Sequence, residues 1–199
     1  LTYSVADALA VTAKVKERLQ ASHRDVDVAL LVSGQAPEPD RANIDRVLDR
    51  LRDLAPEDTV VVFIAGHGVN DAREGYAFLP RDARLEASGR LDSGSVVKWL
   101  TLESALQNAK GRRILFVDTC QSAGAVNGQL VKSLGDAEVI SFTAASREQD
   151  AWEFAHLGHG AFTSAVLEGL AGNADLNQDG AISVLELGNY VTARVLELT

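Results

Sequence analysis

The sequence predicts an α/β protein: a mostly parallel sheet with helices on both faces, arranged as a three-layer sandwich. Two observations carry that expectation. Short apolar runs rich in β-branched and aromatic residues, at 59–65, 114–117 and 138–143, stop abruptly at turn residues. Between them lie longer stretches whose apolar residues recur at three- and four-residue steps, the period of a helix.

The elements follow in order. Thr2 to Gln20 carries Val5, Leu9, Thr12, Val15 and Leu19 on one helical stripe. Val26 to Val32 reads as a strand. Asp40 caps a helix whose Ile44, Val47, Leu48, Leu51 and Leu54 form a second stripe, ended by Pro56. A strand from Thr59 to Ala65 comes next, then a turn at Asn70 to Glu74, an extended segment Gly75 to Pro80 and a polar loop to Gly94. Ser95 to Ala109 is expected to be helical and to lead into the strand ending near Cys120. Ala125 to Asp136, small and polar, reads as a linker, and Glu138 to Thr143 as a further strand. Ser146 to Gly160 looks irregular, and helices are expected over Phe162 to Leu170 and Ser183 to Leu196.

Composition narrows the classes. The 199 residues suit one ordinary domain, 1–199, with a substantial core. A hydrophobic share of 46% with 24% charged residues is that of a globular chain. No apolar run approaches membrane-spanning length, and no signal peptide is visible. A net charge of −9 argues against non-specific nucleic-acid binding. One cysteine cannot form an internal disulfide, which fits a reducing compartment, and the expected location is cytoplasmic. Composition leaves the oligomeric state open.

The chemistry gathers at two strand ends. Gly111 to Ala125 reads GRRILFVDTCQSAGA, so Cys120 lies just beyond an apolar run, between Asp118 and a small, glycine-containing segment. Most free cysteines are small buried hydrophobes, but this one stands where open parallel sheets place their catalytic groups. Val60 to Gly68 reads VVVFIAGHG, which puts His67 at the end of a similar run. Parallel neighbouring strands would bring a thiol and a base to one crevice. No strand is followed by a phosphate-binding glycine loop, so a nucleotide site is poorly supported. His156 and His159 lack a second cysteine or paired carboxylates nearby and read as loop histidines, not metal ligands.

His67 and Cys120 are 53 residues apart, and caspases keep their histidine about 50 residues upstream of the cysteine. Gly66-His67-Gly68, Asp118-Thr119-Cys120-Gln121-Ser122-Ala123-Gly124, Ser141-Phe142-Thr143-Ala144-Ala145-Ser146, Ala151-Trp152-Glu153 and Gly160-Ala161-Phe162-Thr163 stand in the order of the caspase-like cysteine peptidases. The chain resembles that family over nearly its whole length, on the bacterial caspase-like and metacaspase side. The resemblance implies Cys120 as nucleophile, His67 as acid and base, and the amides of Gly68 and Cys120 as the oxyanion hole. It also implies Asp118 as a substrate-binding residue, because metacaspases use an aspartate two residues before the cysteine to hold an arginine or lysine side chain. The partner is then a peptide or protein cut after a basic P1 residue, with Lys132 as a self-cleavage position. No cofactor is required for that chemistry.

The chain departs from the family in two respects. The family opens with a strand before a helix containing Asp-Ala, whereas this sequence starts near that helix at Asp7-Ala8, so the first strand is expected either upstream of it or removed by processing. Gln121 replaces a histidine often found after the cysteine. The alternative reading keeps the fold and makes the domain a catalytically silent module for interaction or calcium binding, in which Cys120 would be inert.

Residues 175–186 fill a twelve-residue calcium-loop template between two predicted helices. Asp175, Asn177, Asp179 and Glu186 supply side-chain oxygens, Ala181 a carbonyl, and Ser183 a position acting through water. Gly180 permits the turn and Ile182 anchors it. A structural Ca2+ fastening the last helix is the expectation. Metacaspases carry their activating calcium elsewhere, and only Asp82 is comparable to those positions here.

Overall fold

The computed structural model describes residues 2–71, 75–119, 135, 138–144, 153–154 and 158–199. Two compact units emerge, one comprising Leu31–Asp150 and the other Leu1–Leu30 with Ala151–Thr199.

The first unit is built on a parallel sheet. Strand β1 is Thr59–Gly66. A hairpin of β2, Gly68–Asp71, and β3, Gly75–Phe78, follows immediately, and β4, Val97–Lys98, extends it antiparallel to β3. Strands β5, Arg112–Thr119, and β6, Val139–Thr143, complete the main sheet in the order β1-β5-β6, all parallel. Helices α2, Arg41–Asp49, and α3, Trp99–Asn108, cover one face, with a 3-10 turn over Arg50–Asp53.

Alternation along the strands explains that packing. Val60, Val62 and Ile64 of β1 pack with Leu115 and Val117 of β5 against Leu48, Leu51, Leu102 and Leu106 from the helical layer. The register Val62↔Leu115 and Ile64↔Val117 makes this one continuous apolar face. On the alternate positions, Phe63, Phe116 and Phe142 share a row, and the last two stack at 4.8 Å. Leu106 and Leu115 are completely buried, each removing about 2 kcal/mol worth of apolar surface from water.

Helix α2 shows why its start was legible. Asp40 accepts a hydrogen bond from Asn43 N at 2.7 Å, satisfying one of the amides that a helix leaves open. Asp82 adds a second cap by accepting from Arg41 N at 2.8 Å.

The second unit contains α1, Ser4–Gln20, the short hairpin β7, Glu153–Phe154, with β8, His159–Gly160, then α4, Ala161–Glu168, and α5, Val184–Leu198. A π-helical turn, Gly169–Asn173, ends α4. Arg18 Nε of α1 donates to Leu170 O at 2.6 Å, and Arg194 of α5 donates to Glu168 of α4 at 2.7 Å. The Arg194 bond, the largest effect, and a bond from Tyr190 hold the Glu168 carboxyl below its ordinary range against the opposing pull of partial burial.

Four expectations need correction. Within 146–160, read as irregular, Glu153–Phe154 and His159–Gly160 pair as a short antiparallel hairpin. Residues 26–32 form no strand, because a β-ladder needs a hydrogen-bonding neighbour and none of the described strands pairs with them. Asn70 and Asp71 lie in β2, not in a turn; residues 72–74 are outside the described set. Helix α3 begins at Trp99, since Val97 and Lys98 are drawn into pairing with Phe78 and Ala77.

Candidate active site

Parallel strands deliver their carboxyl ends to one edge, and the β1–β5 ladder runs to its last pairs there, Ala65↔Asp118 and Gly66↔Thr119. The next residue along β1 is His67, and the next along β5 is Cys120, which lies outside the described residues, as does Lys132.

His67 is solvent-exposed and bridges β1 to β2. Its backbone is fixed from the hairpin, since its carbonyl accepts a bond from Leu79 N at 2.9 Å. Gly68 is buried and opposite Phe78. A Cβ at this position would overlap the hydroxyl and ring of Tyr76, so only glycine fits the close approach. The Tyr76 hydroxyl in turn shares a hydrogen bond with Thr119 Oγ1 at the end of β5. The sequence marks Tyr76 only as part of an extended segment and carries no signal for its place between the two strand ends.

Asp118 is 3% exposed, on the face of β5 opposite Leu115 and Val117. A carboxylate so removed from water is held there only by compensating partners, and any cation that reaches it interacts more strongly than one at the surface.

His159 departs from the loop reading. It sits on β8, and its Nδ1 lies 2.7 Å from Asp7 Oδ1 of α1. Asp7 is 2% exposed, so the bond satisfies a buried carboxylate and ties the β8 strand to the first turn of α1. His156 is outside the described residues.

The 175–186 loop is closed by its own polar groups. Asp175 accepts from Asp179 N at 3.1 Å and Gly180 N at 3.0 Å, Asn177 from Asp179 N at 2.9 Å, and Asp179 from Ala181 N at 2.8 Å. Gly180, at φ 85°, makes the turn. Ser183 caps α5 in a reciprocal box with Glu186, whose Oε2 accepts from Ser183 Oγ at 2.7 Å and Ser183 N at 2.9 Å. Those bonds, the Ser183 hydroxyl first, hold the Glu186 carboxyl below its ordinary value, with amides of Asn177 and Leu176 contributing. The donor set is all oxygen, as a hard cation such as Ca2+ requires, and the loop is already turned. Among the described residues, however, no three His, Cys, Asp or Glu side chains gather into a metal-holding group. Asp82, the position comparable to a metacaspase calcium acid, is engaged in capping α2.

No helix among the described residues is long and apolar enough to cross a membrane. Compared with known families, residues 1–197 match the family model of the caspase domain. No curated protein and no solved structure matches the chain.

Proposed function

As a chain that belongs to the caspase-domain family and has its α/β fold, we propose that this protein is a cysteine endopeptidase cleaving after arginine or lysine, with Cys120 and His67 as its dyad. The family suggests cysteine peptidase chemistry and a peptide or protein substrate. The observation that carries the finer reading is the β1–β5 register. Its last pair, Gly66↔Thr119, makes His67 and Cys120 the residues that next leave two adjacent parallel strands.

The chemistry follows from the residue types. The His67 imidazole takes the Cys120 thiol proton, and the sulfur attacks the peptide carbonyl. The amides of Gly68 and Cys120 stabilise the oxyanion that forms. Collapse expels the amine, which receives the proton from His67. Water, deprotonated by the same imidazole, then hydrolyses the thioester and frees the thiol. Buried Asp118 holds the basic P1 side chain by charge pairing. Lys132, which follows Cys120 in sequence, has the side chain this specificity would accept and is the proposed self-cleavage site.

A separable reading concerns the 175–186 loop. Asp175, Asn177, Asp179 and Glu186, with the Ala181 carbonyl and with Ser183 through water, would hold a Ca2+ that neutralises three carboxylates and fastens α5. The closed turn and oxygen donors support it, and because Asp175, Asp179 and Glu186 do not gather into one group, binding would have to draw them together.

The peptidase reading is tested with amide substrates bearing Arg, Lys or Asp at P1, using the parent, Cys120→Ala, His67→Ala and the double variant. Arg and Lys should be cleaved, and the three variants should share a similar residual rate, at least about 1000-fold down, because the dyad acts as one unit. Full activity in Cys120→Ala, or cleavage after Asp, overturns it.

A further inference from the structure

We propose that Tyr76 is a positioning residue for catalysis, locking the Gly68 amide to the strand end that carries Cys120; this rests on the peptidase reading above. The ring and the hydroxyl of Tyr76 do different things, and both act at the site. The ring fills the space a side chain at position 68 would need, so the backbone of Gly68 lies directly against it. The hydroxyl bonds Thr119 Oγ1, one residue before Cys120. Tyr76 therefore touches both segments that supply the oxyanion amides, from β3, a third strand that takes no part in the chemistry.

The ring is itself well fixed. Phe78 meets it edge-on at 5.1 Å and Trp99 at 6.5 Å, and all three belong to the buried core beneath α3. Tyr76 is 3% exposed and Thr119 2%, so their bond is shielded from competing water. β3 also pairs with β2 in full register from Gly68↔Phe78 to Asp71↔Gly75. Movement of Gly68 relative to Thr119 would thus require breaking a buried hydrogen bond or displacing a packed aromatic ring. Catalysis by oxyanion donors depends on their being aimed before the reaction, and errors near 1 Å are costly. A rigid strut between the two donor segments supplies that aim.

A buried tyrosine also needs a hydrogen-bond partner for stability alone, so the experiment must separate the two roles. Tyr76→Phe keeps the ring and removes only the hydroxyl. Thr119→Val removes the partner and Thr119→Ser retains it. Each is assayed well below its melting temperature for kcat and KM on a basic-P1 amide. Cys120 alkylation by iodoacetamide is followed against pH in parallel, with His67→Ala as reference.

Tyr76→Phe is expected to lower kcat roughly five- to tenfold, the rate equivalent of one buried hydrogen bond, with KM within about twofold. Thr119→Val should match it, Thr119→Ser should recover most of the rate, and the Tyr76→Phe/Thr119→Val double variant should be no worse than either single. The His67-dependent enhancement of alkylation should fall in Tyr76→Phe. Parity of Tyr76→Phe with the parent in kcat and in alkylation overturns the proposal, as does additivity in the double variant. If the parent cleaves no peptide, the peptidase reading fails, and alkylation alone decides for Tyr76. A parent whose Cys120 reacts no faster than in His67→Ala overturns both.

Discussion

The end of the β1–β5 ladder and the 175–186 loop both collect polar groups, but by opposite means. At the ladder, backbone pairing sets the positions: Ala65↔Asp118 and Gly66↔Thr119 are fixed by strand register. In the loop, side chains set the backbone, because Asp175, Asn177 and Asp179 accept bonds from amides two to five residues further along the loop and Glu186 from the cap of α5. The first arrangement needs no side chain to hold its strands in register. The second commits its carboxylates to holding a turn, and any ion must share them. Register-built sites suit chemistry, whereas self-bonded loops suit fastening.

The sharpest way to break this contrast is at Asp118. Asp118→Ala should lower kcat/KM for Arg and Lys substrates about 100-fold, the scale of a desolvated charge-assisted bond, while leaving slow cleavage after uncharged residues. Equal losses across all P1 residues would mean that Asp118 supports the strand end and does not meet substrate.

A smaller effect is expected at Glu186. Glu186→Gln should cause a slight fall in melting temperature without calcium, since part of the capping box survives. Millimolar calcium should raise the melting temperature of the parent and not of this variant, with matching heat in calorimetry. No calcium response in the parent would leave the loop a self-sufficient turn.

The smallest effect tests a carboxylate with a purely structural partner. Arg194 depresses the Glu168 carboxyl, so the pair stabilises the fold above the ordinary glutamate range and loses that contribution as pH falls through the lowered value. Glu168→Gln should be less stable than the parent near pH 7, by less than about 1 kcal/mol given its partial exposure, and the two should converge in strong acid. Denaturant titration at pH 7 and pH 2.5 measures this, and a gap that widens in acid would refute the sign.

Much of the fold was legible because buried parallel strands are continuous apolar runs stopped by turn residues, as at 59–66 and 112–119. The sequence at 26–32 has the same look and failed, since its pattern describes a strand and cannot supply a neighbour. Val96 and Val97 suit a helix start as well as a strand, and pairing to Phe78 decided between them. At the site, glycines around His67 marked the end of β1, while the apolar run stopped at Val117, two residues before β5 ends at Thr119. Tyr76 was invisible because its significance lies in what Gly68 lacks and in a partner 43 residues away. His159 was equally opaque, with Asp7 at a separation of 152 residues.

The bonds from Asp7 to His159 and from Arg18 to Leu170 also bear on how the chain finds its fold. Each closes across 152 residues, so α1 leaves the ribosome long before its partners exist. The unit Leu31–Asp150 is continuous in sequence and can condense while synthesis proceeds. The unit that joins Leu1–Leu30 to Ala151–Thr199 cannot, and the entropy of closing so long a loop is met only once residues 151–199 have been made. Until then α1 lacks the partners that bury its apolar face, and a 17-residue helix is only marginally stable without such packing.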